Sequence, residues 1–395
     1  MARDLLYLVH RIPYPPDKGD KIRSWHLLRH LARDWRVHLG AFVDDPEDWR
    51  HADHLKGVCA DVLLRPLHPP RAKFRSLRGL LQGRALSLPY YRDRTLAAWV
   101  NGKLAAGMDA AVVYSSAMAQ YVMDASLPRI MDFVDIDSDK WRQYAPTRSW
   151  PLSWVYAREG RLLLDWERRV ARTFDASLFV SPSEADDFRA LAPESAGRVG
   201  YFNNGVDAEF FSPDRDYPNP FPPGIRALVF TGAMDYWPNV DAVAWFVGEA
   251  LPALRRAYPE VVFYIVGSRP AADVQALAGE AVVVTGRVED VRPYLAHASV
   301  VVAPLRIARG IQNKVLEAMA MGKSVVSSPQ ALEGIQARVG EEVLRAETGT
   351  EFAQAVGRVL DGFVCGPAAR SRVVTEYGWD ASLAPMDALL PAGTR

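Results

Sequence analysis

The stretch from Ala308 to Gly322 brings the residue types for anion chemistry into one short segment. Its spacing reads as a loop opening a helix, with Arg309, Gly310, Gln312, Asn313 and Lys314 where the helix begins and Glu317 about a turn inside it. The first backbone N–H groups of a helix have no internal partner and carry the positive end of its dipole, so such a start is a ready anion site. Here two cationic side chains reinforce it. Gly310 permits close backbone approach, and Gln312 and Asn313 supply amides. Gly322-Lys323-Ser324 does not complete a P-loop, because Glu317 stands where that pattern needs a glycine. No Gly-x-Gly-x-x-Gly follows the first apolar run either, so neither a P-loop ATPase nor a dinucleotide dehydrogenase is expected.

These residues must be held by strands and crossover helices. Short apolar runs alternate with helical patterns along the whole chain, which argues for parallel sheets. Strands are expected at residues 5–9, 37–43, 110–114, 129–133 and 176–180, with a helix from Ile22 to Leu31 after the first. A proline-rich connector from Phe211 to Gly224 follows, and then strands at 227–231, 261–266, 282–285, 300–304 and 324–327. Helices are expected at Leu152–Thr173, Val240–Ala257 and Gln312–Met321.

At 395 residues the chain exceeds one ordinary core, so two domains are expected. They are placed at 1–203 and 204–375, with 376–395 a C-terminal helix packing back toward the first. The natural architecture is two doubly wound α/β domains facing a cleft, with ligands beyond the carboxyl ends of the strands. The formal net charge is zero, but the halves differ: residues 1–200 carry 30 Lys+Arg against 25 Asp+Glu, or +5, and the remainder carries −5. Cys59 and Cys365 are the only cysteines, which excludes a disulfide framework and a cysteine zinc site and suits a reducing compartment. No apolar run is long enough to span a membrane. A cytoplasmic location is expected.

Between Arg65 and Arg94 stand eight Lys/Arg and one acid, interleaved with Phe74, Leu77, Leu80, Leu81, Tyr90 and Tyr91. The segment reads equally as a surface for anionic lipid and as a solvated basic face. Trp141, Trp150, Trp154 and Trp166, mixed with Arg142, Arg148, Arg158 and Arg161, suit a sugar acceptor, a lipid headgroup or the packing of the 152–173 helix. Asp132, Asp135, Asp137 and Asp139 alternate like metal ligands, yet lack the glycine and distal glutamate of a calcium loop. Asp135 is read as facing the cleft and the other three as solvated.

The segment around Glu317 resembles the retaining GT-B glycosyltransferases of family 4. Gly310 and Leu316-Glu317-Ala318-Met319-Ala320 match that family's signature, while Arg309 occupies its first glutamate position. Phe202-Asn-Asn-Gly-Val-Asp207, Phe230-Thr-Gly-Ala233, Val180-Ser-Pro-Ser-Glu184 and Val284-Thr-Gly-Arg-Val-Glu-Asp290 look similarly familiar. Arg11–Arg23, Asp132–Trp141 and Arg309–Lys314 look closest to the sugar transferases associated with bacterial exosortase and exopolysaccharide clusters.

The resemblance implies a donor site made of Gly232, Gly286, Arg287, Val288, Arg309, Gly310, Ile311, Gln312, Asn313, Lys314 and Glu317, with Glu317 on the nucleotide ribose. It implies an acceptor side at Gly19, Asp20 and Asp135, catalytic roles for Arg309, Lys314 and Asp135, and no metal or cofactor. Two departures stand out. The loop 232–239, where the family carries diphosphate-binding bases, has none here, and the family's His-Asp is replaced by Val134-Asp135. The expected function is transfer of a sugar from a nucleotide-diphosphate donor to a glycan or polyprenyl-linked acceptor in exopolysaccharide synthesis. Expected partners include an anionic inner-membrane face but no nucleic acid. A sugar-nucleotide 2-epimerase and a non-catalytic nucleotide-sugar binder are the alternatives on the same fold.

Overall fold

The computed structural model describes residues 3–16, 19–76, 78–81, 83–147, 149–308 and 311–391. The chain divides into two compact units, one of Met1–Asn203 with Leu383–Arg395 and one of Asn204–Ser382. The last helix, Trp379–Asp387, therefore begins in the second unit and ends in the first, where His30 Nε2 meets Asp387 Oδ1 at 2.8 Å.

The first unit holds seven strands: β1 Arg3–Val9, β2 Trp35–Val43, β3 Asp61–Pro66, β4 Ala110–Tyr114, β5 Arg129–Val134, β6 Ala176–Phe179 and β7 Val199–Tyr201. They pair in parallel in the order β3-β2-β1-β4-β5-β6-β7. The second unit holds β8 Arg226–Thr231, β9 Val261–Val266, β10 Val282–Gly286, β11 Val300–Ala303, β12 Val325–Ser327 and β13 Leu344–Arg345, parallel in the order β10-β9-β8-β11-β12-β13. Both orders start at a central strand and reverse beside it, between β1 and β4 and between β8 and β11. Ligands of doubly wound sheets bind beyond the carboxyl ends of the strands at such a reversal.

Helices on both faces explain why the central strands are apolar along their length: Leu5–Val9 and Ala110–Tyr114 are wholly buried. Three strands escape the sequence pattern. β3 is a half-exposed edge strand ending at a proline, and β7 and β13 are only three and two residues long. The helix expected at Val240–Ala257 is two helices, Trp237–Glu249 and Leu251–Ala257, because Pro252 has no N–H to continue the first and disfavours helical backbone before it. Cys59 and Cys365 are buried and unpaired, in different units.

Asp132 is not solvated as its sequence setting suggests. It is fully buried and receives Arg23 Nε at 2.9 Å and Nη2 at 3.0 Å, while Arg23 Nη1 donates to Phe202 O at 2.9 Å and the guanidinium lies 3.6 Å from the Phe202 ring. This fork ties the helix Gly19–Asp34 to β5 and to the end of β7. A second buried pair, Lys21 with Asp48 at 2.7 Å, anchors the same helix. Removing one partner of such a pair strands a charge, so Asp132→Ala is expected to cost about 3–5 kcal/mol of first-unit stability by urea unfolding, and Arg23→Met with Asp132→Leu clearly less.

Candidate functional site

Beyond β8, β9 and β11 the second unit contains a cavity of about 570 Å³. Gly232, Arg287, Val288, Ile311, Gln312, Asn313, Lys314 and Glu317 all line it, as the sequence leads one to expect. Gly286, in a left-handed turn at φ +68°, precedes the lining pair Arg287-Val288. Arg309 and Gly310 lie outside the described residues. The lining also includes Tyr236, Asn239, Gly267 and Ser268, which the sequence reading missed.

Two glycines let the walls close up. A Cβ on Gly267 would stand 1.6 Å from Gly232 O, and one on Gly232 would stand 2.7 Å from Asn239 Nδ2 and 3.1 Å from Lys314 Nζ. Only backbone fits at this crossing. The loops after β8 and β9 are then laced together by Met234 N to Ser268 O at 2.8 Å and Ala271 N to Met234 O at 3.0 Å. Arg269, from the second loop, pairs with Asp235 of the first at 3.1 Å.

Lys314 reaches into this space from the start of the helix Asn313–Ala320, whose first turn contains no acid. Its ammonium donates to Asn239 Oδ1 at 2.5 Å and stands 4.3 Å from the Phe230 ring centre, with no carboxylate among the described residues in hydrogen-bonding contact. Loss of solvent brings its pKa down to about 7, opposed only by Glu317, and loss of solvent pushes Glu317 up to about 7, opposed by Lys314. Among the described residues, Arg287 and Lys314 are the bases lining the cavity and Glu317 is its acid. The cavity thus offers cations, a helix start and glycine backbone to an anion, with one carboxylate as an acceptor.

In the first unit the corresponding strand ends carry His10 after β1, Tyr114 and Ser115 at the end of β4, and Val134-Asp135 at the end of β5. Ser115 at φ +74° and Val134 at φ +72° hold left-handed backbone that residues with a Cβ rarely adopt, a strain that clusters at functional positions. Asp20 accepts from Arg11 Nη1 at 2.5 Å and faces His10 Nε2 at 3.4 Å. Despite its burial, these partners hold its carboxyl well below the usual range. The His10 ring stacks on Tyr114, 5.7 Å between centres and 8° apart. Asp135 does not stand alone as expected: Lys140 Nζ donates to it at 2.8 Å. Gly19 opens the helix that carries Asp20. The sequence reading missed His10, Tyr114 and Lys140. The position of His10 just past the first strand was the available signal. Among the described residues, no group of three or more His, Cys, Asp or Glu side chains is placed to hold a metal ion.

A doubly wound unit with an anion cavity at its strand reversal defines a phosphate- or nucleotide-binding α/β domain. Residues 225–362 match the family described as Glycosyl transferases group 1, so the second unit contains a domain of that kind. None of the curated proteins compared with the chain matches it in sequence. Solved structures are similar over almost the whole length. A glycosyltransferase from Rickettsia africae ESF-5 is 12% identical with a TM-score of 0.66, and sucrose-phosphate synthase from Thermosynechococcus elongatus is 18% identical with a TM-score of 0.66, each alignment covering 98% of both chains. HepE of Anabaena, solved in complex with UDP, is 15% identical with a TM-score of 0.62 over 98% of this chain and 99% of its own. The fold is GT-B, with parallel sheets of seven and six strands.

The Lys314–Glu317 pair gives stability a pH signature. From pH about 4.5 to 7 the folded chain keeps the Glu317 proton that the unfolded chain releases, so this contribution falls as pH rises. From 7 to about 10.5 the unfolded chain keeps the Lys314 proton that the folded one has released, so stability recovers. Denaturant midpoints followed against pH are expected to lose the falling limb in Glu317→Gln and the rising limb in Lys314→Met.

Proposed function

We propose that this protein is a retaining glycosyltransferase that moves a sugar from a nucleotide-diphosphate donor to a glycan or polyprenyl-linked acceptor in exopolysaccharide synthesis. The observation that carries this reading is the placement of Lys314, Arg287, the start of the helix Asn313–Ala320 and Glu317 around one cavity at the β8/β11 reversal. As the sugar C1–O bond breaks, its electron pair leaves on the diphosphate. The acceptor hydroxyl oxygen bonds to C1 and releases its proton. Cations aimed at the diphosphate stabilise this charge more in the transition state than in the bound donor. In this reading Lys314, Arg287 and Arg309 meet that charge in place of a metal ion. Glu317 accepts from the ribose hydroxyls. HepE, solved with UDP, supports a nucleotide sugar as the donor class. The first unit, with Gly19, Asp20 and Asp135, receives the acceptor.

Turnover of a labelled panel of UDP-, GDP- and dTDP-sugars, with and without lipid-linked acceptor, tests the reading. Donor consumption that requires acceptor is expected. Consumption without acceptor would make the protein an epimerase or hydrolase, and binding without turnover a nucleotide-sugar binder. Glu317→Gln is expected to weaken nucleotide binding by about 1.5–3 kcal/mol in calorimetry, the worth of a charge-assisted hydrogen bond. Arg309→Ala is expected to lower diphosphate affinity. If instead it changes only the selectivity for acidic donor sugars, Arg309 reads a carboxylate on the sugar.

Peripheral attachment to the inner membrane face belongs to the same proposal. No helix of the described residues is long and apolar enough to cross a membrane. The basic segment is not one amphipathic helix: Arg65 pairs with Asp93, Arg75 donates to Pro89 O and Tyr90 O, and Tyr91 is half-buried against His10. Leu77 and Arg148 lie outside the described residues. Exposed among the described residues of the segment are Arg71, Lys73, Arg84, Arg92 and Arg94, together with Phe74 at 75%. The tryptophans divide as well. Trp141 packs on Tyr156 and Trp166 donates to Ser116 O, whereas Trp150 and Trp154 are 81% and 56% exposed. Sedimentation with anionic vesicles is expected to weaken with salt and with Trp150→Ala plus Trp154→Ala. Equal binding to neutral vesicles would remove the idea.

A further inference from the structure

The crossover from β4 to β5 is short for a parallel pair. After Tyr114 the chain makes one tight turn of helix, Ser116–Tyr121, and enters β5 at Arg129. Such connections ordinarily carry a full helix that covers the sheet. Here the space left lies between the helices Arg94–Ala106 and Leu152–Thr173, and it forms a groove of about 750 Å³. It shares no residue with the cavity of the second unit.

The groove is lined for a polar ligand. Arg84, Arg92 and Arg169 all face it, and none makes a hydrogen bond or ion pair through its guanidinium to a described residue. The Asn101 amide and the Asp124 and Asp165 carboxylates also line the groove, with no side-chain hydrogen bond to a described residue. The Trp166 indole N–H is engaged by Ser116 O at 2.9 Å, so its ring offers the groove only apolar surface.

We propose that this groove binds an extended segment of an acidic glycan. A guanidinium fork matches a sugar carboxylate in two parallel hydrogen bonds. Asp and Asn side chains accept from sugar hydroxyls, and an indole packs the apolar face of a pyranose ring. An open, elongated, mixed-polarity groove suits a chain of sugars better than a compact apolar ligand. The inference deepens the acceptor half of the proposed function and rests on that reading only for the source of the glycan. The groove itself is a property of the first unit.

Isothermal titration with a short oligogalacturonate, and with a neutral maltooligosaccharide as its uncharged counterpart, tests it on the full-length protein. The oligogalacturonate is expected to bind more tightly than the neutral probe, to lose at least about tenfold in affinity in Arg92→Ala with Arg169→Ala, and to lose binding when Asn101→Trp fills the groove. Both arginines are exposed, so the double variant is expected to keep the wild-type unfolding midpoint. No heat with oligogalacturonate, equal affinity for the two probes, or an unchanged affinity in the double variant would each overturn the proposal. Glu317→Gln separates the two readings, because it is expected to weaken donor binding and leave the oligogalacturonate titration unchanged.

Discussion

The cavity of the second unit is organised around an ammonium group that has lost most of its water and, among the described residues, hydrogen-bonds to no carboxylate. Lys314 is held by an amide oxygen of Asn239 and the face of Phe230, and both are weak substitutes for a counter-charge. Desolvation, opposed only by the charge of Glu317, brings the Lys314 pKa down to about 7. An arriving diphosphate would supply the missing counter-charge and restore the cation. In the proposed reading that pairing favours binding, and more so as negative charge builds on the diphosphate.

That arrangement is possible only because backbone crosses backbone at Gly232 and Gly267. With no Cβ at either position, the loops after β8 and β9 approach to direct contact and leave Lys314 Nζ room above them. The parallel sheet supplies the rest: β8 and β11 part at the reversal of strand order, so the loop after one and the helix start after the other face a common space. The first unit repeats this order, but its strand ends are held by side chains. The Arg23–Asp132 fork and the Lys21–Asp48 pair fix the helix that follows β1, and with it Asp20, against β5 and the segment after β2.

Much of this was legible in the sequence, for physical reasons that also mark where legibility stops. Central strands such as Leu5–Val9 and Val261–Val266 read clearly because both faces are covered and the whole run is apolar. β3 did not, since an edge strand of Asp61-Val-Leu-Leu-Arg-Pro66 has little to bury. Lys314 and Glu317 were recognised from a local helix-start pattern. Asn239, Gly267 and Ser268 were not, because each acquires its role from a contact with a loop distant in sequence. Asp132 misled for the same reason: nothing near it in the chain announces that Arg23, 109 positions away, will neutralise it in the core.

The departures of the loop 232–239 from the resembled family become coherent once the cation is followed through space instead of along the chain. That loop offers Asp235 and Asn239 where bases are expected. Asn239 receives the Lys314 ammonium, and Asp235 binds Arg269 from the neighbouring turn. Net positive charge therefore reaches the loop from the helix after β11, through Lys314, while Arg269 from the turn after β9 is neutralised by Asp235. An amide suits the first task because it accepts from the ammonium without cancelling its charge, whereas a carboxylate at position 239 would leave the cavity neutral toward an anion. Sequence patterns that search one loop for its bases cannot register such a transfer. The geometry can, because a phosphate responds to charge at a point in space whichever segment of the chain supplies it.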